Sequence, residues 1–400
     1  MPASRRLHSI SIACQSAAAA ALLLLFSLVP RPAAAQDGVR TTSSLERHWT
    51  SNAFDRQQAD PDWYTLLRSS LEWNSGGSDA NVTLGAQVQA TRYDTASIED
   101  DRALALTAQA FRRLPSGIEI KGTFAYHASS EGDDLPIGPL NLGLRTVKQV
   151  FGATGQIGID LGNSTTLVLD VSDSFEKVGP TRFQYGLLAP VQLDPDLNRA
   201  QAGARLTRTV GPLAFGASGS ALRLSAEELG YPPVALSLSL YGLRGEIAYS
   251  AEDGSTLALK LGGELLHGDH GSYQRLRPAW QASLSKNLPH GLEIRGSYFG
   301  RFETVDSDDP LASWLERGEL ELGAKLRENL AVAAGVFAEE KQNLLFENVE
   351  RKRGFYTEAT CQATASAAIV LRVDFSRTFK TIVEERLQTV DTFVGVRVRI

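Results

Sequence analysis

The sequence predicts an all-β fold, an antiparallel transmembrane β-barrel of about 18 strands, with 16 as the alternative count, preceded by a cleaved signal peptide. Three observations point there. The chain opens on a secretion-type leader. Beyond it, apolar and polar residues alternate one by one through segments of about ten to fourteen residues, the period of a strand whose two faces meet different surroundings. The connections between these segments alternate between short and long, as the turns do at the two rims of an outer-membrane barrel.

The leader carries Arg5 and Arg6, an apolar run from Ala17 to Val29, and Ala33-Ala34-Ala35 before Gln36. This is the layout of a secretory signal peptide, so cleavage after Ala35 is expected, leaving 36–400 as the barrel. The alternative, a membrane anchor, fails on length: thirteen helical residues rise about 20 Å against a hydrocarbon core of roughly 30 Å. Leu7, His8 and Ser9 do not continue a twin-arginine pattern, and Cys14 precedes the apolar run, which argues against lipoprotein processing. Loss of Arg5, Arg6 and Arg31 takes the formal net charge from −6 to −9. An acidic chain is no sequence-independent nucleic-acid binder. With Cys14 in the leader, Cys361 stands alone, which excludes an internal disulfide and a cysteine-rich metal site.

Along residues 81–93, Val82, Leu84, Ala86, Val88 and Ala90 face one way, and Thr83, Gly85, Gln87, Gln89 and Thr91 the other. The rhythm returns in Ile118, Ile120, Phe124 and Tyr126 against Glu119, Lys121, Thr123 and His127. It appears again in Leu257, Leu259, Leu261 and Leu265 against Lys260 and Glu264. Val394, Val396, Val398 and Ile400 close the chain on the same pattern. Strands are expected at 43–52, 62–73, 81–93, 103–114, 118–128, 147–160, 165–175, 197–209 and 213–224. A second set is expected at 236–249, 256–266, 275–286, 292–302, 314–326, 330–340, 354–364, 368–379 and 388–400. Pro115-Ser116-Gly117, Val210-Gly211-Pro212 and Arg327-Glu328-Asn329 read as tight turns, and 129–146 and 176–196 as long loops. Residues 338–352 are ambiguous, with a short helix in an outer loop as one reading, and 380–391 are open between strand extension and loop.

A soluble β-sandwich also alternates, but its strands average five or six residues, whereas a tilted membrane strand needs about nine to eleven. Ala200, Ala202, Ala204, Ala217 and Ala221 on the apolar face suit lipid better than a packed core. Trp49, Trp63, Trp73, Tyr93, Tyr126, Tyr249, Tyr298, Trp314 and Phe379 fall near strand ends, where interfacial girdles form. One turn recurs: Leu114-Pro-Ser-Gly-Ile-Glu-Ile-Lys-Gly-Thr-Phe returns as Leu288-Pro-His-Gly-Leu-Glu-Ile-Arg-Gly-Ser-Tyr, consistent with hairpin duplication or with convergence on one useful turn.

The chain has no phosphate loop, dinucleotide fingerprint, zinc-protease motif or nucleophile elbow, which favours a conduit over an enzyme and implies no cofactor. His267-Gly268-Asp269-His270 is too sparse for zinc without further ligands and reads as a polar turn. The clusters Glu99-Asp100-Asp101, Glu131-Gly132-Asp133-Asp134 and Asp306-Ser307-Asp308-Asp309 read as solvated loops, or as carboxylates for cations that bridge lipopolysaccharide phosphates. The polar face is the informative one. It offers Glu293, Arg295, Glu319, Glu321, Arg372, Asp374, Arg397 and Arg399 as channel-lining candidates, in company with Arg68, Glu119, Lys121, Lys260, Glu264, Arg277, Arg317, Lys325 and Glu358. These charges either pair across strands and stiffen the wall or impose a field on a passing solute. Eighteen strands enclose an aqueous lumen unless loops fill it.

Thr50-Ser51-Asn52-Ala53-Phe54, followed by Asp60-Pro61-Asp62 and an alternating strand, resembles the opening of the β-barrel porin type 2 group, whose usual Thr-Asp-Asn-x-aromatic becomes Thr-Ser-Asn-Ala-Phe here. The resemblance implies an outer-membrane barrel linked to exopolysaccharide export and carries over no catalytic residue. The expected function is therefore a porin-like channel for hydrophilic solutes in the cell outer membrane. Expected partners are outer-membrane lipid and lipopolysaccharide, the barrel-assembly machinery and polysaccharide-export components, with no nucleic acid. The alternatives are a barrel serving as adhesin or enzyme scaffold, and a soluble secreted β protein.

Overall fold

The computed structural model describes residues 38–399 except 55–59, 138–139, 185–187, 227–236, 270–273, 305–311, 345–347 and 382–384. The expected leader therefore lies outside the described residues. The strands are β1 Gly38–Thr50, β2 Asp62–Gly76, β3 Ala80–Tyr93, β4 Asp101–Arg113, β5 Glu119–Ile137, β6 Leu140–Gly162, β7 Thr165–Val178, β8 Arg182–Phe183, β9 Leu197–Val210 and β10 Leu213–Ala226. They continue as β11 Leu238–Ser250, β12 Thr256–Gly268, β13 Gln274–Leu288, β14 Leu292–Glu303, β15 Ser313–Arg327, β16 Leu330–Asn343, β17 Val349–Thr364, β18 Ala367–Lys380 and β19 Glu385–Arg399. Every neighbouring pair is antiparallel, and β19 returns to pair with β1. The ring holds eighteen of these strands, since the two-residue β8 pairs only beside β6.

Closure leaves no strand edge in lipid, where unpaired backbone groups cost several kcal/mol each. Each strand has an outward and an inward parity, and the registers carry one parity assignment around the whole ring. The outward set holds the exposed Leu67, Leu84, Val171, Leu243, Leu261, Leu276, Leu320, Leu371 and Val394. The inward set holds the charged residues, some of which meet across an intervening strand as only the concave side permits. A chain with an apolar belt outside and charge inside, closed without an edge, is an outer-membrane β-barrel rather than a sandwich.

The expected strand positions hold, with differences at the long-loop rim and at β1, which begins at Gly38 rather than residue 43 because its pairing with β2 runs back to Gly38↔Asn74. Residues 129–146, expected as a loop, largely continue β5 and β6 as a hairpin beyond the barrel, because main-chain pairing runs on from Ser129↔Lys148 to Ile137↔Leu140. Arg145 on this hairpin donates to the carbonyl of Ile98 at 3.2 Å, so the β3–β4 turn packs beneath it. In the expected loop 176–196, β7 runs to Val178 and β8 lies against Leu144 and Arg145. The short helix considered for 338–352 is not there: 338–343 continue β16 and 349–352 open β17, because main-chain pairing runs on as Gln342↔Val349, and 385–391 belong to β19. The recurring turn works through left-handed backbone in both copies, at Gly117 (φ 79°) in one and at His290 and Gly291 (φ 65° and 72°) in the other.

Adjacent residues on β12 test the facing. Leu261 is mid-strand and 55% exposed, whereas Lys260 points inward, 3.6 Å from Glu246. Leu261→Arg is expected to cost about 2–4 kcal/mol and to cut the heat-modifiable folded fraction, as arginine does near the bilayer midplane. Lys260→Gln should assemble normally, since Glu246 keeps Arg205 at 2.5 Å. Equal folding of the two variants would reverse the facing.

Candidate functional site: the barrel lumen

Strand register puts all eight channel-lining candidates on the inward face. They divide into two sectors. On β14–β18 the charges pair. Arg295 lies 2.7 Å from Glu293 and 3.4 Å from Glu321, Arg317 lies 3.0 Å from Glu319 and 3.3 Å from Glu339, and Arg372 lies 2.8 Å from Asp374 and 3.3 Å from Glu358. Tyr356 ties the sector together, its hydroxyl 2.5 Å from Glu321 and 3.2 Å from Glu319. To reach them from β17 the ring crosses Gly335 on β16, where a Cβ would sit 2.4 Å from the ring carbon Cζ. The Arg372 guanidinium stacks over the same ring, 4.4 Å from its centroid. Arg295 and Arg372 are thus largely compensated wall residues.

The second sector spans the closing seam. Arg397 faces Ser44 and Ala368, Arg399 faces Thr42, and Arg40 stands one inward position further along β1, across from Glu72. None of these three arginines forms an ion pair among the described residues, and all three are exposed to the lumen. Arg68, opposite Ser44, shares Glu46 at 3.4 Å. Small hydroxyl side chains, Thr42 and Ser44, separate the cations, so at Arg397 and Arg399 the short-turn half of the seam turns unpaired positive charge toward the lumen.

Further up the seam lies a polar cluster that alternation alone does not reveal. His48 is buried between the Tyr64 and Phe393 rings, with centroid separations of 4.4 and 4.6 Å. Its Nε2 lies 3.0 Å from Glu46, its Nδ1 3.2 Å from Asp391, and Tyr64 donates to Asp391 at 2.9 Å. First strand, second strand and last strand are thereby bound by one set of side chains. The sequence signal was available, since Arg40, Thr42, Ser44, Glu46 and His48 alternate, but Glu46 and His48 lie more than 340 residues from Asp391.

The long-loop mouth is narrowed from inside. β13 pairs with β14 only as far as Trp280↔Gly300, although β13 begins at Gln274 and β14 runs on to Glu303 paired with β15 alone. At the parting point the Trp280 ring covers Gly300, where a Cβ would meet it at 2.4 Å. Beyond it the β14–β15 hairpin leaves the wall. Phe302, Ala312 and Trp314, each at most 5% exposed, pack with Leu344 against the inward Leu197, Leu224, Leu238 and Leu266 of β9–β12. The Phe302 amide donates to Glu264 on β12 at 2.8 Å, and Glu264 also holds Arg244. Inward apolar residues on β9–β12 thus find a partner other than water. Trp314, expected in the lipid girdle, is buried here instead, because its hairpin turns in. Tyr93 is a second correction: it points inward against Tyr64, 4.8 Å between centroids. Trp63, Trp73, Tyr249 and Tyr298 do face outward and are exposed.

The acidic clusters are used locally. Asp100 accepts from the Tyr93 amide at 2.7 Å, Asp101 from the Gly132 amide at 2.8 Å, and Glu131 lies 3.1 Å from Lys148. Asp306, Asp308, Asp309 and His270 lie outside the described residues, and Asp269 pairs with Arg223. Among the described residues no three His, Cys, Asp or Glu side chains are grouped to hold a metal.

No protein-family model and no curated relative matches the chain. Among solved structures it is similar to the copper transporter OprC, with a TM-score of 0.57 and 11% identity over 91% of this chain and 80% of that one. It is also similar to OccK2 (OpdF) of Pseudomonas aeruginosa, with a TM-score of 0.51 and 11% identity over 90% and 98% of the two chains. The BenF-like porin of Pseudomonas fluorescens Pf-5 gives a TM-score of 0.51 and 10% identity over 90% and 99%. Identities this low establish the fold and not the solute. The chain has the fold of a closed outer-membrane β-barrel.

Proposed function

We propose that the protein conducts hydrophilic solutes passively across the outer membrane, with a preference for anions, and that it is not an enzyme. The supporting observation is the inward face, a closed polar wall whose β14–β18 sector is compensated while Arg397 and Arg399 are not. Fixed positive charge beside a water-filled path raises the local concentration of anions, and salt weakens the effect because the Debye length falls from about 10 Å at 0.1 M to about 3 Å at 1 M. The inturned hairpin sets the size limit at the outer mouth. The finer reading, a polysaccharide as solute, rests on the resemblance at residues 50–62 alone. In this fold Ser51 bonds to Val390 in both directions at 2.8 Å, and Thr50 and Asn52 are buried, so these residues fasten the strand ends.

Reversal potentials under a salt gradient in planar bilayers test the proposal. The parent should be anion-selective, Arg397→Gln with Arg399→Gln should move the reversal potential toward zero, and the outward Arg208→Gln should change nothing. Absence of an open conductance would remove the channel reading. An unchanged ion preference in the double variant would remove the two arginines from it.

A further inference from the structure

The outward face carries its own unbalanced charge. Arg353 on β17 and Arg377 on β18 are direct cross-strand partners, both exposed on the lipid side near the long-loop rim. Directly opposed residues have Cβ atoms about 4.5–5.5 Å apart, and like charges so placed destabilise a sheet. Arg386 on β19 lies one row further toward the rim, and Gln388 faces Arg377 from the other side. Arg351 has Glu340 at 2.7 Å, but among the described residues Arg353, Arg377 and Arg386 form no ion pair. A protein that sets two arginines face to face in a low-dielectric surround leaves a place for an anion.

The rows beneath give that anion a body. One row inward, Phe355 and Phe375 stack with centroids 5.2 Å apart, and the Arg377 guanidinium lies 5.5 Å from the Phe375 centroid. Outer-membrane barrels carry girdles of aromatic residues where the apolar band meets the headgroups. Further down the same strands the exposed residues are aliphatic, Leu371 at 53% and Val394 at 51%. Arginine, then aromatic, then aliphatic is the order in which a lipid presents phosphate, backbone and acyl chain. Guanidinium forks also match phosphate oxygens bidentately.

We propose that the outward face of β17–β19 binds a phosphate-bearing glycolipid of the outer leaflet. Its phosphate sits between Arg353 and Arg377, with Arg386 and Gln388 beside it. The site stands on the opposite face of the wall from the lumen and does not depend on conduction.

The test uses full-length protein in maltoside micelles with lipid A carrying both phosphates, or with lipid A stripped of them, read by native mass spectrometry and by the midpoint of the heat-modifiable transition. The parent should bind the phosphorylated lipid about tenfold more tightly or better, the scale of one lost charge-assisted hydrogen bond. Arg353→Gln with Arg377→Gln should abolish that preference, whereas Arg208→Gln on the short-turn side should keep it. In maltoside alone the double variant should melt at or above the parent, because a repulsion has gone. Equal affinity of the parent for the two lipids would overturn the proposal whatever the variants do. So would a preference retained in the double variant, a lower midpoint for it without lipid, or millimolar inorganic phosphate stabilising the parent as much as the lipid does.

Discussion

Deletion of residues 391–400 is expected to leave unassembled, protease-sensitive chain in the periplasm with no heat-modifiable form. The segment supplies every β1 partner on that side, from Thr42↔Arg399 to Thr50↔Asp391, and most of the partners of β18. Without it the ring has two open edges in lipid, and each unpaired backbone group costs several kcal/mol there, far beyond the stability of a domain. Asp391 and Phe393 go with it, so His48 loses one carboxylate and one stacking ring. We further propose that Val394, Val396 and Val398 form the segment read by the barrel-assembly machinery. Membrane-embedded, heat-modifiable product accumulating normally after the deletion would contradict both closure by β19 and that role.

Phe302→Ala combined with Trp314→Ala is expected to free the β14–β15 hairpin from the wall and raise single-channel conductance. Each buried aromatic lost to alanine costs about 3–5 kcal/mol. Even one such loss changes the docked-to-undocked ratio more than a hundredfold at about 1.4 kcal/mol per factor of ten. The barrel itself should still close, since both residues sit above the point where β14 has left β13. Conductance in planar bilayers and the folded fraction by electrophoresis separate the two effects. An assembled variant with parental conductance would place the narrowest part of the path elsewhere.

What the residues declare locally is nearly the whole wall. Alternation over a dozen residues is a property of consecutive side chains, so Leu261 outward and Lys260 inward could be read from β12 alone, as could Arg295, Arg372, Arg397 and Arg399 inward. Turn chemistry is equally local, and Gly117 announces the β4–β5 turn by needing left-handed backbone. Strand ends at the long-loop rim were harder, because past the membrane the alternation loses its cause and only main-chain pairing continues, as in the β5–β6 hairpin.

Compensation of charge depends instead on which strand lies beside which and at what register. Arg295 and Arg397 look alike in sequence, yet one meets Glu293 and Glu321 while the other faces Ser44 and Ala368. Trp314 shows the same limit: its position in the alternation says lipid, and the inward turn of its hairpin, favoured by the inward Leu197, Leu224, Leu238 and Leu266 of the neighbouring β9–β12 wall, says lumen. The His48 cluster and the Arg353–Arg377 pair exist only because the ring closes and the strands align. The sequence by itself determined the class of fold and the facing of its strands. Tertiary structure decided which charges are spent on one another, because ion pairing acts over a few ångströms in space and alternation fixes only the side of the sheet.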